Sequence, residues 1–289
     1  MKDDVKFQQL PRKSRPQPGK TLARRRFRLG GIEVIAAGPP DGGTPILFVH
    51  GAFAGAWMWD EVFLPYFAAA GYEAWGLSLR GHGESEGREI IDHHSIRDYV
   101  DDVMTVADAM PAPPVLVGHS MGGFVVQKTL EHRPAPAAVL MASVPPQGLV
   151  AASFHLAFSH PDLFAQVNRL LAGADISAEA VADALFAKPL PPELMRRALR
   201  QMSPESQRAI WDMSMFNLVS MHAVHRTPLM VLGAEEDRLV PAFVVQSTAR
   251  AYGVPDHLFT GHGHGFPLEP GGERIADAVL AWLAKVELA

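Results

Sequence analysis

Short, almost uninterrupted apolar runs punctuate the chain, separated by longer stretches whose apolar residues recur at steps of three and four. The first pattern suits strands buried on both faces and the second suits amphipathic helices. Their alternation predicts an α/β fold with a mostly parallel sheet flanked by helices. Strands are expected at residues 32–37, 45–49, 73–79, 114–118, 137–142, 229–233 and 257–260, with 27–31 forming a further strand and turn. Ser95 reads as the N-cap of a helix whose Ile96, Tyr99, Val100, Val103, Val106, Ala107 and Met110 share one face. Ile275, Val279 and Trp282 repeat that spacing after Gly271-Gly272.

The alternation stops between about Pro145 and Thr227, where helix-like segments are broken by Pro161, Pro189, Pro191-Pro192 and Pro204. This span, 145–227, is read as a helical cap inserted between two strands of a core formed by 26–144 and 228–289. Its bulky apolar residues serve in part to pack on one another and in part to line a pocket; Phe154, Phe158 and Trp211 are chosen as substrate-binding candidates, together with Phe53 from the core. Residues 1–25 are polar and Pro-rich, a basic arm ending near Arg24-Arg25-Arg26. A twin-arginine export signal would need an apolar segment after the arginines, and none follows.

With 289 residues, 48% of them hydrophobic, the chain can bury the core of one large α/β domain with an insertion. A net charge of −5 argues against a nucleic-acid surface, which needs clustered Lys and Arg, and favours a small neutral ligand. The absence of cysteine excludes disulfides, thiol nucleophiles and Cys-based zinc sites. No apolar stretch approaches the ~20 residues a membrane span requires. A soluble cytoplasmic protein is expected, with a homodimer through the basic arm left open.

The chemistry centres on Gly118-His119-Ser120-Met121-Gly122, which follows the apolar run Pro114-Val115-Leu116-Val117 and precedes a helix opening at Met121. A serine at so sharp a strand-to-helix turn is strained, and flanking side chains larger than hydrogen would collide with the neighbouring elements. Serine is a poor nucleophile at neutral pH unless an imidazole takes its proton and a carboxylate orients that imidazole. The C-terminal third supplies both. Asp237 lies in the loop after the run Leu229–Leu232, and His264 lies in the glycine-rich loop Gly261-His262-Gly263-His264-Gly265. Glu235 is the alternative acid. His262, two residues from His264, raises a metal site, but companion ligands at open-site spacing are missing, so no metal or cofactor is expected. An oxyanion hole needs backbone N–H groups, expected from Met121 and from Ala52 in His50-Gly51-Ala52-Phe53, with Phe53 as the alternative donor. His50 and the turn Arg80-Gly81-His82-Gly83-Glu84-Ser85 are read as structural, and His93-His94 as solvated.

Taken together, Phe48-Val49-His50-Gly51, the Arg80–Ser85 turn, Gly-His-Ser-Met-Gly-Gly, Gly-x-x-x-Asp-x-x-Val-Pro and Gly-His-(x)4-Glu ending at Glu269 resemble the α/β-hydrolase superfamily, from about Arg26 to the C-terminus. The resemblance implies Ser120, Asp237 and His264 as a triad, in the order serine, acid, histidine. It also implies the Ala52 and Met121 amides as oxyanion donors. The stretch His50–Trp57 resembles that of small-ester methylesterases and hydroxynitrile lyases. Departures narrow the choice. Ser78 stands where many relatives carry Asp, a change expected to alter the pocket rim. Ser120 is unlike the aspartate nucleophile of dehalogenases and epoxide hydrolases. His119 stands where the related carbon–carbon bond hydrolases usually carry Asn, and Met121 where cofactor-free perhydrolases carry Thr. A serine carboxylesterase acting on a small to medium apolar ester is the expectation; the alternatives are a lysophospholipase, thioesterase or lactonase with the same triad, and a noncatalytic small-molecule receptor.

Overall fold

The computed structural model describes residues 24–40, 44–174 and 177–286, so the expected N-terminal arm lies almost wholly outside the described residues. In chain order the elements begin with strands β1 (Arg25–Leu29), β2 (Ile32–Ala37) and β3 (Ile46–Val49), helices α1 (Trp57–Asp60) and α2 (Phe63–Ala69), and strand β4 (Ala74–Leu77). A 3-10 helix (Arg88–His93) leads to α3 (Ile96–Asp108), β5 (Val115–His119), α4 (Met121–Thr129) and β6 (Ala138–Met141). Five helices follow without a strand: α5 (Val150–Ser159), α6 (Pro161–Leu171), α7 (Ala178–Leu185), α8 (Pro192–Gln201) and α9 (Gln207–Trp211), the last continuing into a π-helical turn (Asp212–Phe216). The chain then resumes with β7 (Leu229–Ala234), α10 (Ala242–Tyr252), β8 (Asp256–Phe259) and α11 (Gly272–Leu283).

The eight strands form one sheet in the order β1-β2-β4-β3-β5-β6-β7-β8. β1, β2 and β4 pair antiparallel, and from β4 to β8 every pairing is parallel. Strands β2 to β6 are buried at every position, which accounts for their reading as solid apolar runs rather than alternating ones. The observed strands differ from the expected ones by a residue or two at their ends. Pro45 and Pro114, lacking an N–H, stay outside β3 and β5, although Pro45 still accepts the Val115 amide at 2.9 Å. β8 ends at Phe259 rather than Thr260.

Two features fix the ground beneath the site. Phe48 on β3 meets Trp59, Phe63 and Phe67 with ring centroids 5.1, 6.1 and 5.3 Å apart, an aromatic cluster that anchors the strand from which the His50–Phe53 loop departs. Such pairs add about 0.5–1.5 kcal/mol each beyond the area they bury. On the other side, Ser95 caps α3 through a reciprocal pair: its hydroxyl accepts the Asp98 amide while the Asp98 carboxylate accepts the Ser95 amide. The helix then buries the face that includes Tyr99, whose hydroxyl reaches a distant carboxylate described below.

Ser78 is fully buried; its hydroxyl donates to Glu33 Oε2 at 2.6 Å and accepts the Ala56 amide at 2.9 Å. The carboxylate at this turn thus comes from β2 and not from position 78. His94 is also buried, its Nε2–H donating to the Gly87 carbonyl at 2.8 Å, whereas its neighbour His93 is solvated as expected. Among the described residues no helix is long and apolar enough to cross a membrane.

Ser95→Ala removes one half of the reciprocal cap. Its expected cost is about 1 kcal/mol, read as a lower urea midpoint with an unchanged denaturant slope.

Candidate active site

Four loops at the carboxyl ends of the parallel strands β3, β5, β7 and β8 converge on one point, where open parallel sheets place their ligand sites. The β5 loop brings Ser120, with φ 53° and ψ −120°. That conformation costs a residue with a Cβ about 1–3 kcal/mol, and it persists because the surroundings over-determine it. The Ser120 amide donates to the Met141 carbonyl at 3.0 Å, and its carbonyl accepts the Val144 amide at 3.1 Å, so both ends of the residue are tied to the chain leaving β6. The glycines on either side are required sterically: a Cβ on Gly118 would overlap the Gly122 carbonyl, and one on Gly122 would overlap the carbonyl oxygens of Val49 and His50.

His264 arrives from the loop after β8. Its Nε2 accepts the Ser120 hydroxyl at 3.0 Å, and its Nδ1–H donates to Asp237 Oδ2 at 2.7 Å. The other carboxylate oxygen of Asp237 accepts the amides of Leu239 and Val240, both at 2.8 Å, which fixes its plane. Asp237 and His264 are buried, whereas Glu235, the alternative acid, is exposed and has no bond to the imidazole. Glu236 instead accepts the Gly261 and His262 amides, bracing the histidine loop. His262 turns away to Glu269, with Nδ1 at 3.0 Å from Oε2. No group of three or more His, Cys, Asp or Glu side chains among the described residues is placed to hold a metal ion.

Ala52 and Met121 both line the cavity beside Ser120, and among the described residues neither of their amides donates a hydrogen bond. The Met121 N–H is one of the unpaired donors at the start of α4, where the helix dipole also favours negative charge. The alternative donor, Phe53, is engaged: its amide points to Glu205 Oε2 at 3.4 Å. His50 is structural as expected, donating from Nδ1 to the Gly51 carbonyl at 2.7 Å and accepting the Leu79 amide on Nε2 at 2.9 Å.

A cavity of about 520 Å³ rises from Ser120 into the inserted helices, walled by Phe53, Leu163, Val181, Ile210, Trp211 and Met213 among others. Phe53 and Trp211 thus border it. Phe154 and Phe158 do not: they are 62% and 83% exposed on the outer face of α5. The reason is helical phase, since Ala152 and Leu156 turn inward to the cavity, and a residue two positions on lies about 200° around the helix.

His119, beside the serine, has a role that its place inside the motif conceals. It is buried, its Nε2–H donates to the His264 carbonyl at 2.9 Å, and its Nδ1 has no partner among the described residues. Burial pushes its pKa down, the neighbouring His264 adds to this, and the value falls to about 3. The imidazole is therefore neutral and holds the histidine loop by its backbone.

With this geometry in hand, comparison with known proteins places the chain. The sequence profile of the alpha/beta hydrolase family matches residues 46–278. The chain belongs to the alpha/beta hydrolase family. Salicylic acid-binding protein 2 of Nicotiana tabacum is 32% identical over 118 residues, 39% of this chain and 45% of that protein. The probable esterase PIR7A of Oryza sativa subsp. indica is 36% identical over 113 residues, 37% of this chain and 42% of that protein. The chain thus spans less than half the length of the curated relatives it matches. An esterase from Exiguobacterium antarcticum shares the fold with a TM-score of 0.69 at 17% identity, covering 91% of this chain and 100% of that one.

The depressed pKa of His119 has a consequence for acid stability. In the unfolded chain the ring takes up a proton near ~6.5, while in the fold it stays neutral down to about 3. The unfolded state binds more protons across that window, so the contribution of this group falls as pH drops from the unfolded value toward the folded one. Urea titrations between pH 6 and pH 4 should give His119→Asn a stability–pH slope shallower by about one proton than the unaltered chain. Equal slopes would show that His119 titrates as an ordinary histidine.

Proposed function

We propose that this protein is a serine carboxylester hydrolase that works through an acyl-enzyme. The observation that carries the reading is the hydroxyl–imidazole–carboxylate series of Ser120, His264 and Asp237, with separations of 3.0 and 2.7 Å. The two undonated amides of Ala52 and Met121 beside it add support, as do the relatives named as esterases.

In this reading His264 Nε2 takes the Ser120 proton as Oγ bonds to the ester carbonyl carbon. The carbonyl electron pair moves onto oxygen, and that oxyanion rests on the Ala52 and Met121 amides. Collapse of the tetrahedral intermediate breaks the carbon–oxygen single bond, and the proton on His264 passes to the departing alcohol. A water molecule then gives a proton to the same nitrogen while its oxygen attacks the acyl carbon; the bond from that carbon to Oγ breaks, the acid leaves, and the proton on His264 returns to Ser120 Oγ. Asp237 keeps Nδ1 protonated and stabilises the imidazolium. The inserted helices form a cap over the cavity, and Phe53 and Trp211 contact substrate.

The cavity's apolar walls, which reach Leu163 and Leu171 in α6 and Val181 in α7, favour an acyl chain longer than acetyl. This is the specific support for the second reading, a lysophospholipase or thioesterase that uses the same residues on a longer acyl group.

Ser120→Ala should abolish hydrolysis of p-nitrophenyl butyrate and covalent labelling by a fluorophosphonate, with an unchanged melting temperature. Retained turnover in that variant would end the proposal. Across p-nitrophenyl acetate, butyrate, hexanoate and octanoate, kcat/KM should rise by up to roughly fourfold per methylene, the equivalent of ~0.8 kcal/mol each, until the cavity is filled. A decline from acetate onward would assign the cavity to a different part of the substrate.

A further inference from the structure

Glu205 is one of the most deeply buried carboxylates of the molecule, and the hydrolytic steps above leave it unused. It lies between α8 and α9, in the inserted segment, and it accepts four donors. Oε1 takes the Tyr99 hydroxyl at 2.8 Å and the Ser206 amide at 2.7 Å; Oε2 takes His82 Nε2 at 3.1 Å and the Phe53 amide at 3.4 Å. These fill the roughly four lone-pair sites of a carboxylate. Both ring nitrogens of His82 face acceptors, Nδ1 the Arg80 carbonyl and Nε2 Glu205. Burial works against a charge on this ring, but Glu205 and the Arg80 carbonyl together raise its pKa above the ordinary histidine value.

The Phe53 end of this cluster bears on the reaction. Three successive peptide planes run from Gly51 to Ala54; a turn bond from the Ala54 amide to the Gly51 carbonyl at 3.3 Å closes the segment, and each plane is also held by a group outside it. The Gly51 carbonyl accepts His50 Nδ1–H at 2.7 Å, which leaves the Ala52 N–H of the same plane pointing elsewhere. The next plane is held through the Phe53 amide by Glu205, and the third through the Phe53 carbonyl by the Ser203 amide at 3.0 Å. Phe53 itself is bent into the left-handed region, φ 64°, a conformation uncommon for a phenylalanine and held here by the turn together with these tethers. Of these four restraints two come from the inserted segment, and Ser203 is fixed in turn by Arg88 Nη2 at 3.0 Å.

We propose that Glu205 is a positioning residue, the carboxylate through which the inserted helices hold the Gly51–Ala52–Phe53 loop so that the Ala52 amide faces the developing oxyanion. The proposal rests on the reading of Ser120 as nucleophile. It makes the seating of the insertion a condition for a complete oxyanion hole, because displacing residues 203–205 leaves the loop only its His50 bond and its own turn bond.

Glu205→Gln keeps the volume but turns an NH2 group toward one pair of donors and leaves the remaining oxygen uncharged, so the long Phe53 tether is broken or weakened. With p-nitrophenyl butyrate the expected result is a kcat at least tenfold lower, KM within threefold, and fluorophosphonate labelling slowed in parallel. Glu205→Asp, which keeps the charge but withdraws it by one methylene, should do the same and serves if the Gln variant does not fold. Tyr99→Phe removes one buried bond to Glu205 without touching Phe53: a lower melting temperature with kcat within twofold is expected. Amide exchange by NMR reads the tether without any turnover, with Phe53 exchanging more slowly than Ala52 in the unaltered chain and at least tenfold faster in the Glu205 variants. Equal exchange of the two amides in the unaltered chain, or wild-type kcat in a folded Glu205 variant, would overturn the proposal. If the unaltered chain hydrolyses no ester, the reading of Ser120 falls, and the exchange rates still decide whether Glu205 holds the loop.

Discussion

The backbone of Ser120 is the constraint on which the site depends. Its torsions are unfavourable for any residue with a Cβ, and they are held by bonds from both its amide and its carbonyl to the chain leaving β6. This turn points the hydroxyl out of the sheet and at the same time starts α4, so that the Met121 amide opens beside it. A serine on a relaxed loop could adopt many orientations, whereas here two neighbouring strands and two glycines permit one. His264 and Asp237 need only be delivered by loops from β8 and β7, the next strands along the sheet from β6.

The inserted helices do more than roof a cavity. Their segment 185–187 bonds to the histidine loop, through Gly265 N to the Leu185 carbonyl at 2.6 Å and Ala187 N to Glu269 at 2.6 Å. Their segment 203–205 bonds to the loop after β3. Insertion and core therefore meet through polar bonds at two of the loops that form the candidate site.

Much of the architecture was legible because burial on both faces leaves a plain trace: β2 to β6 are solid apolar runs, and α3 keeps a clean stripe behind a capping pair. Strand ends were legible only to within a residue or two, since a proline without an N–H can flank a strand and still accept from it. The cap aromatics were not legible. Phe154 and Phe158 are as hydrophobic as Trp211, but which side of α5 faces inward depends on where that helix sits, and no local pattern records this.

The order of glycine, serine, acid and histidine along the chain determined by itself that a strained serine turn and two loops carrying an acid and a histidine would exist, because strained turns and strand-end loops have local residue requirements. Glu205, Glu33 and His119 carry no such trace. In sequence Glu205 is an acid in a Ser-Pro-Glu-Ser stretch, which reads as a solvated loop, and in the fold it is a buried acceptor for donors from Phe53, His82 and Tyr99. Only tertiary structure could decide this, since a buried polar group is defined by partners 106 to 152 positions away, and the chain meets them only after the sheet and its insertion have closed.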